Sequence, residues 1–137
     1  MALKTTVLLI DPCKDDRDYW QHRLDTVSGE YEVLHADTGT AGLATCQARH
    51  IDCVVTELTL PDMSGLEVLV KLVPRAYRPE MAVVFLSHIT QEGMGRLAKN
   101  NGAQAYLIKS LISGDDLDLA VRRAVATVGP ARKEPRR

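Results

Sequence analysis

Five short runs of strand-forming residues alternate with five stretches of helical character along this chain of 137 residues. The predicted strands are Thr6–Ile10, Glu32–Ala36, Cys53–Glu57, Ala82–Ser87 and Ala105–Lys109. The first, third and fourth runs are nearly continuous in Val, Leu, Ile and Phe, which is typical of strands covered on both faces. This alternation predicts an α/β fold with right-handed crossovers and a doubly wound, five-stranded parallel sheet. The strand order 2-1-3-4-5 is one of the two common solutions.

The helical stretches separate these strands and carry start and stop signals. They are predicted at about Asp15–Val27, Thr40–Arg49, Gly65–Val73, Gln91–Asn100 and from a cap at Ser113 to Val128. The fourth is the weakest, because Gly93 and Gly95 each cost a helix about 1 kcal/mol relative to alanine. The fifth is the clearest, since Ser113 can cap it and Asp115 and Asp116 place negative charge in its first turn.

Length and charge limit the classes of protein that the chain can belong to. The length suits one domain, predicted over residues 1–129, followed by a polar tail or linker stub over residues 130–137. The formal net charge of -1 gives no general attraction to nucleic acid, and no apolar run has the length of a membrane span. The three cysteines, Cys13, Cys46 and Cys53, have irregular spacing, which favours reduced thiols and a cytoplasmic location.

Polar side chains stand at the carboxyl ends of four predicted strands. Asp11 follows the first strand, and Glu57 ends the third. Ser87 ends the fourth, with His88 beside it, and Lys109 ends the fifth. In an open parallel sheet, ligands bind beyond the carboxyl ends of the strands, near the switch in strand order. We therefore expect two carboxylates, a hydroxyl and an ammonium to converge at one rim, although each taken singly also fits a solvated strand end.

These segments carry a family resemblance. The stretches VLLIDPCKDD, VVTELTLPDMSGLEVL, VVFLSH and AYLIKS resemble the receiver domain of two-component response regulators. The resemblance covers Thr6–Val128, and its most specific segment is the loop Leu60–Glu67. It implies the flavodoxin-like (βα)5 receiver fold and a role in signal transduction. It also implies roles at six positions. Glu57 stands at the phospho-acceptor position, Asp11 and Pro12 stand where the family has a pair of acidic residues that serve the magnesium site, and Ser87, Tyr106 and Lys109 stand at the switch positions.

Three positions depart from the family's pattern. Glu57 replaces an aspartate, Pro12 replaces the second acidic residue, and Ser110 follows Lys109 where proline is usual. Proline offers magnesium no side-chain oxygen, and the extra methylene of Glu57 displaces its carboxylate. Phosphoryl transfer depends on positioning and charge neutralisation. We therefore predict no phosphorylation and no cofactor, with metal binding at Asp11 and Glu57 weak or absent.

The leading prediction is a pseudo-receiver, a regulatory module without enzymatic activity that acts through protein–protein contacts. Glu57, paired with Lys109 and Ser87, is either an imperfect mimic of a phosphoryl group or a structural ion pair. The main alternative is a working receiver that accepts phosphate on Glu57 or Asp11 with Mg²⁺. A cofactor-binding enzyme on the same fold is disfavoured, because the loop Asp11–Asp16 has no glycine-rich phosphate cradle.

The resemblance also implies protein partners, namely a histidine kinase, an output domain or another signalling protein. The expected contact surface is the face formed by the fourth helix, the fifth strand and the fifth helix, which is also where a homodimer would form. Neither nucleic acid nor a membrane is expected as a partner. The identity of the partner stays open at this point, as does the choice between a stand-alone protein and part of a larger regulator or hybrid kinase.

Overall fold

The structure, a computed structural model, describes residues 4–129, so the predicted tail at 130–137 lies outside the described residues. The elements in chain order are β1 (Thr5–Ile10), α1 (Lys14–Val27), β2 (Tyr31–Ala36), α2 (Gly39–Ala48), β3 (Cys53–Thr56), α3 (Gly65–Leu72), β4 (Ala82–Ser87), α4 (Met94–Asn100), β5 (Ala105–Ile108) and α5 (Gly114–Val128). All neighbouring strands are parallel, and their order is β2-β1-β3-β4-β5. The predicted fold class and strand order are confirmed.

Helices cover both faces of the sheet, which explains the continuous apolar runs. Leu8 and Ile10 of β1 join an apolar cluster with α2, α3 and α4, whereas Val7 and Leu9 join a second cluster with α1 and α5. Every residue of β3 and β4 is buried. A fully buried side chain of this size contributes about 1.5–3 kcal/mol, so the two clusters supply the main stabilisation of the fold.

The two edge strands, β2 and β5, are less buried than the three central strands. All four residues of β5 are half-buried, and its outer edge presents backbone groups that no strand pairs within residues 4–129. No helix of these residues is both long enough and apolar enough to cross a membrane.

Two helix starts differ in how they are capped. The predicted start of α4 was wrong by three residues: the helix begins at Met94, because Gly93 has a left-handed φ of 85° and offers no side-chain cap. By contrast, α5 begins with a capping box in which Ser113 and Asp116 each accept a hydrogen bond from the other's backbone N–H. The N-terminus of α5 is therefore the better anchored of the two.

Two strands end one residue earlier than predicted, at the edge that carries the polar side chains. β3 ends at Thr56 and β5 at Ile108. The Glu57 carboxylate turns back to accept from the N–H of Leu58, and Lys109 begins a short 3-10 helix. Both side chains consequently lie just beyond the sheet, where they face each other.

Candidate functional site

The carboxyl ends of four strands bring the predicted side chains together. Ile10 of β1 is paired with Thr56 of β3, so Asp11 and Glu57 leave the sheet side by side. Asp11, Glu57 and Ser87 are all buried, with Glu57 only 2% exposed. Buried charges are rare unless they are paired, so these carboxylates require a cationic partner.

Lys109 is the cation at the centre of this rim. Its Nζ lies 2.6 Å from Asp11 Oδ2, 2.7 Å from Asp16 Oδ2 and 3.1 Å from Glu57 Oε1. Burial acts to lower the pKa of Lys109, but the hydrogen bonds to Asp11 and Asp16 outweigh it and raise the pKa above its ordinary value. The ammonium is therefore permanently charged and holds three carboxylates.

Asp16 is the residue of this site that the sequence analysis missed. It lies in the first turn of α1, whereas Pro12 is exposed and brings no oxygen to the site. A signal was available: Trp20, four residues later on the same helix face, is buried against the sheet. Because Trp20 packs on the sheet, the residue four positions before it, Asp16, is expected on the same side of the helix and close to the rim.

Glu57 is surrounded by hydrogen-bond donors. Its Oε2 accepts from Ser87 Oγ and from the N–H of Leu58. Its Oε1 accepts from the N–H of His88 at 3.2 Å and lies 2.7 Å from Nδ1 of the same residue. An ionised carboxylate only accepts, so this ring nitrogen carries a proton. Thus His88, the one histidine expected at the rim, does contact the site.

These contacts set the charge state of Glu57. Burial acts to raise its pKa, but the hydrogen bonds from Ser87 and His88 and the charge of Lys109 outweigh burial and lower the pKa to about 2. The carboxylate is therefore ionised at neutral pH. Each of its two oxygens is already engaged by at least two donors.

A chain of contacts connects Glu57 to Tyr106 on β5. The N–H of Ile89 donates to Ser87 Oγ at 3.0 Å, and Tyr106 donates its hydroxyl to the carbonyl of Ile89, also at 3.0 Å. The ring of Tyr106 stacks on Phe85, with 5.7 Å between the ring centroids. Glu57 and Tyr106 therefore both hold the first two residues of the loop between β4 and α4.

Backbone contacts hold the loop after β1. Asp11 Oδ1 accepts from the N–H of Cys13 at 2.8 Å, and Arg17 donates to the carbonyl of Asp11 at 2.5 Å. Arg17 also donates to Nδ1 of His35 on β2 at 3.2 Å. These contacts hold Asp11 in place without any side-chain contribution from position 12.

The loop between β3 and α3 is clamped onto α2. The Asp62 carboxylate accepts from the N–H groups of Gly39 and Thr40, both at 2.9 Å, and from the Thr40 hydroxyl at 2.6 Å. A Cβ at Gly65 would lie 2.5 Å from the Glu57 carbonyl oxygen, so glycine is required there. The motif Leu60–Glu67 thus fixes the backbone that carries Glu57.

Comparison with known proteins identifies the family of this chain. A family model for the response regulator receiver domain matches residues 7–122. The transcriptional activator protein ExaE of Pseudomonas putida is 32% identical over 120 residues, which cover 88% of this chain and 55% of that protein. The two-component response regulator ORR3 of Oryza sativa subsp. indica is 27% identical over 110 residues, covering 80% of this chain and 82% of that protein. The chain thus spans about half the length of ExaE.

Solved structures show the same fold. The signal receiver domain of the putative response regulator NarL from Mycobacterium tuberculosis has a TM-score of 0.80 at 24% identity, covering 91% of this chain and 98% of that chain. A response regulator receiver domain protein from Clostridium thermocellum has a TM-score of 0.75 at 29% identity, covering 90% of this chain and 95% of that chain. The chain therefore belongs to the response regulator receiver domain family of two-component signalling, whose members are generally signalling modules that interact with kinases and output domains.

Proposed function

We propose that this chain, as a member of the receiver family, is a pseudo-receiver that signals through protein contacts without accepting phosphate. The supporting observation is that Ser87, His88, Leu58 and Lys109 engage both oxygens of Glu57. A phospho-acceptor needs an available oxygen in line with the donor and a cation that neutralises the transferred group. Here the carboxylate is a weak base with its lone pairs engaged, and position 12 is proline.

The same contacts support a second part of the proposal, that Glu57 acts as a built-in substitute for a phosphoryl group. Ser87 is drawn onto the carboxylate, and Tyr106 is half-buried against Phe85 with its hydroxyl on Ile89. The family resemblance associates an inward aromatic ring with an engaged hydroxyl after β4. A carboxylate has fewer acceptor oxygens and less charge than a phosphoryl group. It therefore biases the domain toward an active-like state more weakly than a phosphoryl group would.

The proposed contact surface is the face formed by α4, β5 and α5. A groove of about 630 Å³ lies beside the half-buried β5, lined by residues that include Lys99, Leu107 and Arg123. The site reaches this face through Tyr106. The proposed partners are a histidine kinase, an output domain, another signalling protein or a second copy of the chain, in a cytoplasmic setting.

Treatment with acetyl phosphate and Mg²⁺, followed by intact mass spectrometry, tests whether the chain accepts phosphate. We expect no phosphoryl adduct on the wild-type chain. The matched control is the double variant Pro12→Asp, Glu57→Asp, which restores the family's residues and should gain an adduct. A stable adduct on the wild-type chain would instead establish a working receiver that uses Glu57 or Asp11.

Hydrogen exchange tests the role of Glu57 as a mimic. Glu57→Gln removes the charge that holds Ser87 and His88, so the N–H groups of His88 and Ile89 should exchange faster and Tyr106 should become more mobile. Glu67→Gln, an exposed change on α3, is the control. Unchanged exchange at His88 and Ile89 in Glu57→Gln would show that the charge of Glu57 does not hold this loop, and would contradict its role as a mimic.

A further inference from the structure

We infer that the ammonium of Lys109 occupies the cation position of this rim, with Asp16 supplying the carboxylate that position 12 lacks, so that the site does not take up a divalent metal ion. This inference deepens the proposed function, because the absence of a metal would be one cause of the absence of phosphoryl transfer. It concerns the occupant of the site, whereas the proposed function concerns its chemistry.

The ammonium is matched to its three acceptors. A lysine ammonium carries three N–H donors and no acceptor. Three carboxylate oxygens, from Asp11, Asp16 and Glu57, lie 2.6, 2.7 and 3.1 Å from Nζ. The Lys109 side chain is 13% exposed, so water competes little for these donors. The carboxylates therefore surround a positive charge that the chain itself provides.

The remaining oxygens do not fit a magnesium ion. Magnesium requires about six oxygens at roughly 2.0–2.1 Å and usually keeps several waters. Asp11 Oδ1 already accepts from Cys13, and Glu57 accepts from Ser87, Leu58 and His88. A cavity beside Asp11, Asp16 and Glu57 has a volume of about 10 Å³, enough for about one water. A divalent ion would have to displace Lys109 and break these hydrogen bonds.

Asp16 lies on α1, whereas position 12, where the family has a carboxylate, lies in the loop after β1. Asp16 projects from the first turn of α1 and pairs with Lys109 at the end of β5. This contact connects the first turn of α1 to the residue that follows β5, an edge strand separated from β1 by β3 and β4. Three carboxylates still outnumber one ammonium, so removal of the ammonium leaves a cluster with a strong affinity for cations.

The experiment uses the full chain and its single tryptophan, Trp20, which lines the same small cavity as Asp11, Asp16 and Glu57. Titrations with Mg²⁺ and Ca²⁺ are followed by Trp20 fluorescence and by thermal unfolding. We expect no response of the wild-type chain. Lys109→Gln should bind Ca²⁺ about tenfold more tightly or better, with a matching rise in Tm, because Ca²⁺ accepts flexible oxygen ligation at about 2.3–2.6 Å.

Lys71→Gln removes the same charge from an exposed position on α3, away from the rim, and should behave as the wild-type chain does. Saturable binding of either ion to the wild-type chain would overturn the inference. So would a folded Lys109→Gln variant that does not respond to Ca²⁺.

If Lys109→Gln does not fold, nitrogen-15 NMR of the lysine ammonium groups provides the second measurement on the wild-type chain. An ammonium with three carboxylate acceptors exchanges its protons slowly, so the Lys109 signal should persist when Mg²⁺ is added and should weaken in Asp16→Asn. Loss of the signal with Mg²⁺ would contradict the inference. A phosphoryl adduct without metal binding would overturn the proposed function while leaving this inference intact.

Discussion

Two buried polar clusters lie at opposite ends of the sheet, and they differ in charge balance. At the amino ends of the strands, Asp118 of α5 is 4% exposed and accepts from the Tyr31 hydroxyl at 2.6 Å and from Arg122 at 2.9 and 3.0 Å. One carboxylate faces one guanidinium there. Burial, followed by the contact with Asp118, raises the pKa of Tyr31, so its hydroxyl stays a donor.

The rim at the carboxyl ends is unbalanced. Asp11, Asp16 and Glu57 share the single ammonium of Lys109, and Glu57 needs further donors from Ser87 and His88. Charge held in excess costs stability, and such costs are concentrated at functional sites. The comparison therefore contrasts a cluster with balanced charge and a cluster with excess negative charge, and three substitutions test this difference.

The largest effect is expected from Glu57→Gln, which should lower the free energy of unfolding by about 3 kcal/mol at pH 7. The folded-state pKa of Glu57 is lowered from 4.5 to about 2, so its stabilisation is present above about pH 4.5 and disappears as the pH falls toward 2. Urea unfolding at pH 7 and at pH 3 should show the difference from wild type shrinking with acid. Glu67→Gln is the control, and a pH-independent difference would contradict the assignment.

Asp118→Ala should lower the free energy of unfolding by a smaller amount, about 2 kcal/mol. The buried Tyr31 hydroxyl then loses its acceptor, and Arg122 loses its counter-charge. Asp115→Ala, an exposed change in the first turn of the same helix, should cost only about 0.3–1 kcal/mol. Urea unfolding of both variants measures the difference. Equal losses would show that the buried contacts of Asp118 add no stability beyond that of an exposed carboxylate.

The smallest effect is expected from Asp16→Asn, a change of about 0.5 kcal/mol or less in the free energy of unfolding. The Asp16 side chain is 43% exposed, and its loss relieves repulsion with Asp11 and Glu57 as it removes one contact to Lys109. Urea unfolding at pH 7 is again the measurement. A loss as large as that of Asp118→Ala would show that Lys109 holds Asp16 as firmly as the buried contacts hold Asp118, so that the third carboxylate is not in excess.

Some of the site followed from the sequence because strand ends in a parallel sheet have few alternatives. Asp11, Glu57, Ser87 and Lys109 each come at the end of an apolar run, and strand order then brings them to one rim. The two-sided burial of β3 and β4 was equally readable, because apolar side chains occupy nearly every position. Magnesium binding and phosphorylation stay predictions.

Other features required the tertiary structure. The helical phase of Trp20 favours a rim position for Asp16, but its pairing with Lys109 depends on how α1 is rotated over the sheet. In the same way, the contact of Asp118 with Tyr31 depends on the rotation of α5. The start of α4 at Met94 depends on the left-handed conformation of Gly93.

The sequence by itself determined the layered fold and the set of polar groups at the rim, because alternating apolar runs leave one way to bury both faces of the sheet. Only the tertiary structure decided that Lys109 contacts three carboxylates and that the His88 ring contacts the carboxylate of Glu57. The physical reason is that charge pairing acts across elements far apart in the chain, over distances of about 3 Å that helix rotation and loop conformation set.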